Sequence, residues 1–582
     1  MVKRIGMILL LFSFSINAKT INFDKEYGIG LSGSKLVNAI KEVIEEAHKN
    51  DIIFFDSEIY DLKSEKLTIN KPISFVGRFV DIEEVAVAGA VKIFTRFINV
   101  SIISVENSNI SFKNIELGSN NKSSYMVRLR RKASKENPHQ FYKNILFQNV
   151  IFRNGMTHIL GGNGAGVTFL HVSFLNFSKL GFSLNRNGHV NYHPQMFFKK
   201  CLWRPNFNDM DFNTRAVGFD AGNTEYMQLW DHKNTTIEDC KLDGVGLGAS
   251  SKGKNVIIKN NHFLGYKLYI DMIHLEEFSS NFLIENNLFE HVKPARGIYI
   301  DREGQTCKNI TIRNNVFKGK YGWIISAYSP KNLVFENNDF TQAEAKDKNK
   351  ITMDFSYLHG HESELPFPLP MHNVRIRNNP GLDNNLQGKL RYNQLKGDDS
   401  NVIEYAKDKI EVIILESRPV SLVDTRKQYR LINKKTKTYL TTSKQEGIVL
   451  ENKISKKEKD VWIVNFRYPY NYTFQNKNTK NYLEVKRGYT LGDIYNPSKM
   501  TTIPAEQVSS YEDTDAQPRF HLIKQIVDGK VYFEMYPGSN ERKSRLTLKN
   551  DKAVLELTRG RKELKNKAVL KDESLWELVE VK

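Results

Sequence analysis

The stretch Asn255-Val-Ile-Ile-Lys-Asn-Asn-His-Phe263 is echoed by Asn281-Phe-Leu-Ile-Glu-Asn-Asn-Leu-Phe289, by Asn309-Ile-Thr-Ile-Arg-Asn-Asn-Val-Phe317 and by Asn332-Leu-Val-Phe-Glu-Asn-Asn-Asp-Phe340. The copies are spaced by 26, 28 and 23 residues. Self-similarity at such a period signals a solenoid, because one repeat cannot bury its apolar face alone. Within each copy apolar residues alternate, as a strand with one buried face requires, until an Asn-Asn pair interrupts them. Asn tolerates the left-handed backbone, so the pair predicts a tight bend between two strands, with asparagines of successive rungs hydrogen-bonding as a ladder.

Extending the register backward gives rungs beginning at Asn109, Asn144, Gly166, Gln195 and Asn234, and forward one at Asn373. The third apolar slot then holds Phe112, Phe147, Phe169, Phe198, Ile237, Ile258, Ile284, Ile312, Phe335 and Ile376. Ten apolar residues at one register predict an internal stack. The bend position reads Asn114, Asn149, His171, Lys200, Asp239, Asn260, Asn286, Asn314, Asn337 and Asn378, regular toward the C-terminal end and broken in the middle. Long intervals at 118–143, 204–233 and 341–372 predict loops that wall a groove. The first carries the basic run Arg128-Leu-Arg-Arg-Lys132, which reads either as a solvated charge run or as a grip on an anionic chain.

A chain of 582 residues is too long for one ordinary domain unless that domain is a repeat array. Lys and Arg total 85 against 66 Asp and Glu, a formal net charge of +19. That excess favours a polyanionic partner, nucleic acid or acidic polysaccharide; compositional bias accounts for it equally well. Lys3 and Arg4, an apolar run from Ile5 to Ile16 and Asn17-Ala18 have the pattern of a signal peptide over 1–18. No later segment has the apolar length of a spanning helix, so the expectation is a secreted or periplasmic monomer with no membrane span. Export argues against nucleic acid. Three cysteines are too few for a disulfide scaffold and show no metal spacing; Cys201 and Cys240 share one repeat position, as a stacked buried pair or a disulfide.

Ser34-Lys-Leu-Val-Asn-Ala-Ile-Lys-Glu-Val-Ile-Glu-Glu-Ala-His48 carries apolar residues at 36, 37, 40, 43, 44 and 47, one helical stripe with Ser34 as expected N-cap. Such a helix covers the open end of a solenoid. It precedes Asp51-Ile-Ile-Phe-Phe55, Glu58-Ile-Tyr60 and Leu67-Thr-Ile-Asn-Lys-Pro-Ile-Ser-Phe75. Helix and strands together resemble the start of the pectate-lyase-like right-handed parallel β-helix superfamily of carbohydrate-active enzymes, over roughly residues 22 to 380. From 381 to 424 the rung pattern fades, and this stretch is expected to connect to a second unit at 425–582. There Tyr429-Arg-Leu-Ile-Asn-Lys-Lys-Thr-Lys-Thr-Tyr-Leu440 recurs as Tyr472-Thr-Phe-Gln-Asn-Lys-Asn-Thr-Lys-Asn-Tyr-Leu483 and, more loosely, from Tyr532 to Leu546. Aromatic closing strands follow at Trp462, Phe520 and Trp576. Three such copies resemble a ricin-type β-trefoil, a fold common in carbohydrate-binding modules, although the Gln of that family's Gln-x-Trp signature is missing before Trp462 and Trp576. The expected class is therefore all-β: a parallel β-helix with an N-terminal capping helix over 19–380, then a β-trefoil-like unit.

Chemistry is expected on the strand before each Asn bend. Its copies are aligned as Gly181–Asn185, Ala216–Asp220, Gly244–Gly248, Met272–Glu276, Gly297–Asp301 and Trp323–Ser326. Ile273, Leu275, Ile298 and Ile300 alternate inward, which sends His274, Glu276, Tyr299 and Asp301 outward on adjacent rungs. In this alignment Asp220 matches Glu276 two rungs on, and Gly246 and Gly248 leave a gap between them. Carboxyls ~6.5–9.5 Å apart suit inverting hydrolysis and ~5–5.5 Å retaining hydrolysis, so Asp220 with Glu276, or Glu276 with Asp301, are the expected acid–base pair, with His274 to orient them. Tyr299, Arg296, Arg302, Lys267, Asp271 and His291 are the expected substrate contacts, with Asp354 and Arg215 behind them. The first functional expectation is a hydrolase acting on an anionic polysaccharide without a cofactor. The superfamily resemblance also implies a lyase or uronate epimerase, in which a basic residue or Tyr abstracts the proton beside a uronate carboxylate and Arg or Ca²⁺ neutralises the charge, roles open to Lys267, Arg296, Tyr299 and His274. A non-catalytic carbohydrate-binding surface protein is the third. The other account of the acids is surface pairing with Arg296, Arg302 and Lys267.

Overall fold

A computed structural model describes residues 18–81, 92–120, 125–129, 142–161, 166–178, 180–184, 195–206, 227–228, 233–249, 253–265, 271–275, 279–300, 307–327, 330–355, 371–383, 388–415, 421–443, 447–455, 457–467, 471–485, 500–503, 520–537, 544–549, 552–557 and 571–581. The alternating runs become strands that pair in parallel with their counterparts one turn later, in one sheet system of 33 strands. This is a right-handed parallel β-helix. The predicted stack is continuous: Phe112, Phe147, Phe169, Phe198, Ile237, Ile258, Ile284, Ile312, Phe335 and Ile376 are consecutive register partners. All are buried in the coil's core, and the phenylalanine rings lie face to face, as in Phe147 on Phe169 at 5.2 Å and 6°.

The bend is the predicted one. All ten bend residues hold φ between 52° and 56°, including His171, Lys200 and Asp239, so the turn persists where Asn does not. The second residue of each pair builds the ladder. The backbone N–H of Asn261 donates to Asn287 Oδ1 (2.9 Å), Asn287 to Asn315 (2.9 Å), Asn315 to Asn338 (3.1 Å) and Asn338 to Asn379 (2.9 Å). Each Nδ2 also donates to the next Oδ1 and to a main-chain carbonyl behind it, so one side chain satisfies donors and acceptors that a bend would otherwise bury unpaired. Cys240 and Cys201 extend the same column: Cys240 N donates to Asn261 Oδ1 (2.9 Å) and Cys201 N approaches Cys240 Sγ (3.4 Å). Both are free, buried thiols, and burial pushes the Cys240 thiol well up. A second, exposed ladder runs along the rung starts from Asn234 through Asn255, Asn281, Asn309 and Asn332 to Asn373.

The capping helix spans Gly33–Glu46 and buries Leu36, Val37, Ile40, Val43 and Ile44. Its N-cap is Ser32 and not Ser34, because Gly33 at φ 57° turns the chain into the helix earlier. At the other end, strands Lys389–Leu395, Val402–Ile403 and Ile410–Leu415 pair in register with preceding rungs, so the sheet continues into the stretch expected to be a connection. Its weak apolar alternation reflects partial burial: Val402, Val412 and Ile414 are exposed.

The C-terminal region closes six antiparallel strands into a ring: Gln428–Asn433, Val461–Arg467, Asn471–Asn476, Phe520–Val527, Lys530–Pro537 and Trp576–Glu580, which returns to the first. Three outlying hairpins complete a trefoil-like arrangement. Tyr429, Tyr472 and Tyr532 are buried at the repeated position, as are Leu440, Leu483 and Leu546. Trp462 and Trp576 are fully buried, and their Nε1 groups donate to Leu440 O (2.9 Å) and Leu546 O (3.1 Å). The tryptophans of the expected sugar-binding signature are thus core residues.

Candidate active site

Ile273, Leu275, Ile298 and Ile300 are in the core as expected, which leaves His274 and Tyr299 on the opposite face of strands Asp271–Leu275 and Leu288–Ile300. Register pairing aligns Gln228, Gly248, His274, Tyr299, Ser326, Asp354, Arg391 and Glu411 in one column along the coil. Around His274 the column is compact. The His274 ring meets Tyr299 edge to face, centroids 4.8 Å apart. The Arg296 guanidinium lies 4.8 Å from the centroid of the same Tyr299 ring. Arg296 is held there by Asp271, with Nε 2.6 Å from Oδ1 and Nη2 3.0 Å from Oδ2. Asp271 Oδ2 also lies 3.9 Å from His274 Nδ1, a Coulombic contact whenever the imidazole is charged. His274 is 1% exposed, whereas the Arg296 side chain keeps 29% of its surface. A buried carboxylate thus presents a cation at the surface, over a phenol and beside an imidazole.

Backbone contacts hold this geometry. Gly297 lies so close to the next strand that a Cβ would sit 2.5 Å from Ile324 O. Three positions before Ser326 on the same strand stands Trp323, which pairs with Arg296 and is 38% exposed. Periodicity places Trp323 in a strand copy without marking it as a contact residue; its signal is an aromatic side chain left exposed beside an arginine. Three rungs past Tyr299 the ion-pair device recurs: Arg391 binds Asp354 through Nη2 at 2.6 Å and Nε at 3.3 Å.

The expected alignment needs correction at three places. Gly248 pairs with His274, two residues from the assumed match with Glu276. In the preceding rung the strand Met227–Gln228 pairs with Leu247–Ala249, so Gln228 stands opposite Gly248, the place the alignment gave to Asp220. A two-residue shift leaves the inward–outward alternation intact, so periodicity does not detect it. Ser326, not Ile325, pairs with Tyr299, because a bulge between His291 and Arg296 offsets the neighbouring strand by one. Glu276, Asp301, Asp220, Arg302, Lys267 and Arg215 lie outside the described residues. His291 is described but stands in the wall: it is 4% exposed, its ring centroid is 3.8 Å from that of Tyr321, and burial pushes its pKa down to about 3. Asp271, His274, Arg296 and Tyr299 are the expected residues that come together. Among the described residues no group of three or more His, Cys, Asp or Glu is placed to hold a metal ion, and no helix is long and apolar enough to cross a membrane.

Among curated proteins none matches the chain by sequence. Several solved structures align with the chain at low identity. A PL6 family alginate lyase, AlyGC, is 12% identical over 74% of this chain and 56% of its own, with a TM-score of 0.35. An exopolygalacturonase from Thermotoga maritima is 11% identical over 63% of this chain and 93% of its own, at 0.33. The ricin B-like lectin of Macrolepiota procera is 12% identical over 27% of this chain and 98% of its own, at 0.20. The family model described as a right handed beta helix region matches residues 232–346, the stretch that carries Asp271, His274, Arg296 and Tyr299.

Proposed function

We propose that the β-helix acts on an acidic polysaccharide by proton abstraction beside a uronate carboxylate, at the patch formed by His274, Tyr299, Arg296 and Asp271. The observation that carries this reading is the guanidinium fixed over the Tyr299 ring by a buried aspartate. Arg has five N–H donors and the Asp271 pairing uses two, so the rest suit a sugar carboxylate. A carboxylate so neutralised makes the neighbouring C5 proton easier to remove. Tyr299 and His274 are the two groups able to exchange protons there. In the elimination, C5–H gives its proton to one of them and its electron pair forms the C4=C5 double bond. The C4–O4 bond breaks, and O4 takes a proton from the other group. Reprotonation of C5 from the opposite face would instead give the epimer. Trp323 supplies an apolar face on which a sugar ring can stack.

Hydrolysis is the second reading. Glu276 and Asp301 each follow by two residues a member of the paired column, His274 and Tyr299. The trefoil-like unit is proposed to bind carbohydrate by surfaces other than its buried tryptophans. The signal-like segment supports action outside the cytoplasm, and the net charge supports an anionic polymer.

The test is a polyuronate compared with the same polymer after chemical reduction of its carboxyl groups. The expected result is turnover of the first and none of the second. Equal turnover of both would remove the role given to Arg296.

A further inference from the structure

The positive charge of the chain is concentrated in its C-terminal region. Residues 425–582 hold 32 Lys and Arg against 20 Asp and Glu, so this shorter unit carries 12 of the net +19. The ring gathers part of that excess at one end. Its six antiparallel strands alternate in direction, so Gln428–Asn433 and Asn471–Asn476 run the same way and finish at the same end. Asn433-Lys-Lys-Thr-Lys-Thr438 and Asn476-Lys-Asn-Thr-Lys-Asn481 are thus two copies of one loop on that end. They are built alike. Asn433 Oδ1 accepts Lys435 N and Thr436 N, and Asn476 Oδ1 accepts Asn478 N and Thr479 N. Asn433 Nδ2 donates to Glu573 O (2.8 Å) and Asn476 Nδ2 to Lys459 O (2.7 Å), which ties each loop to the segment entering a neighbouring strand. Lys437 and Lys480 both hold the left-handed backbone, at φ 58° and 59°.

The acids described at this end are already committed. Asp572 takes Lys434 (2.6 Å), Glu573 takes Lys435 (2.6 Å), Glu458 takes Lys477 (2.7 Å) and Asp460 takes Arg430 (2.8 Å). Lys437, Lys457 and Lys480 are exposed, and among the described residues none of the three is in an ion pair. At the opposite end Arg426 pairs with Asp424 and Lys427 with Glu580. Two strand spacings, about 10 Å, separate the two loops around the ring. Flexible point charges at that spacing suit successive anionic groups of a polymer better than one fixed group.

We infer that this end of the ring, with Lys437, Lys457 and Lys480, is a second binding surface for the acidic polysaccharide, holding the polymer by charge apart from the reaction. This rests on the reading of the β-helix as acting on an acidic polysaccharide, which selects that polyanion over nucleic acid. Two units of one chain on the same polymer raise the local concentration of substrate at the coil. Such attachment weakens as salt rises, because exposed charges are screened.

The experiment measures the dissociation constant of the full-length protein on immobilised polygalacturonate, at low and at physiological ionic strength. Lys437→Glu combined with Lys480→Glu is expected to weaken retention about tenfold or more at low ionic strength, and less at the higher one. The same change in net charge at Lys524 and Lys530, on the hairpin whose turn lies at the opposite end, leaves it within about twofold. Lys437→Asn combined with Lys480→Asn weakens it about threefold or more, and decides the matter if the charge-reversed protein does not fold, since asparagine keeps the left-handed backbone. Unchanged retention of the loop variants, an equal loss in the Lys524 and Lys530 variant, or no retention of the unaltered protein overturns the inference. Equal retention on the carboxyl-reduced polymer does so too. Duplex DNA bound more tightly than the polymer through the same lysines assigns the surface to nucleic acid and likewise overturns it. Turnover of short soluble uronate oligomers is read in parallel and is expected to stay within about twofold in the loop variants. Retention without turnover rejects the reaction site alone; turnover without retention rejects this surface alone.

Discussion

Tyr299→Phe is expected to lower kcat on a polyuronate by about 10²- to 10⁴-fold, the usual worth of a positioned proton-transfer group. The substitution removes one oxygen and nothing else. The Phe ring keeps the edge contact with His274 and the place beneath Arg296, so the Asp271–Arg296 pair has no cause to move. Unfolding by denaturant is expected to match the parent, and binding of the polymer to fall by less than about tenfold, since Arg296 and Trp323 remain. The split between kcat and binding is the informative readout, because a structural tyrosine would lower both together. Retention of full turnover in a folded Tyr299→Phe protein would move the chemistry elsewhere, first to Glu276 and Asp301.

The second large effect concerns stability. Asn315 accepts from Asn287 N and Nδ2, and donates to Ile284 O and Asn338 Oδ1, all buried. Asn315→Ala removes these four bonds without straining the backbone, since Asn315 does not hold a positive φ. Each buried group left unpaired costs about 1–3 kcal/mol, so a loss of about 3 kcal/mol or more is expected. In a solenoid each rung is stabilised by its neighbours, so the loss propagates to the rungs on both sides. The comparison is Asn309→Gly in the exposed ladder: glycine adopts the same φ of 56°, and water replaces the lost bonds, for a change within about 1 kcal/mol. Denaturant midpoints of the two variants measure the difference. Equal losses would mean that the buried column is no more than a turn device.

The coil was legible because its signal is redundant. Ten apolar residues share one slot, and ten bend residues share one left-handed conformation, so a lysine at 200 or a histidine at 171 does not obscure the pattern. The capping helix was legible for the same reason, its stripe being the buried face. The column that bears the site was less so. Strand period is two, and a slip of two residues, as at Gly248, satisfies the alternation as well as the true register does. The bulge before Arg296 shifts the pairing of Trp323 by one for a reason no pattern carries, the path of the backbone round a corner. Asp271 and Arg296 were singled out separately, yet their pairing crosses from one rung to the next. The length of an arginine then carries its charge over Tyr299, three residues further along the strand. Such a contact becomes visible only when both strands are in place.

The most direct measurement of the central claim is the ultraviolet absorbance of the products released from a polyuronate. Elimination at the His274–Tyr299 patch predicts new chain ends that absorb through a C4=C5 double bond conjugated with the carboxylate, rising in step with the number of chains cut. New reducing ends without that absorbance would contradict elimination and return the reaction to hydrolysis.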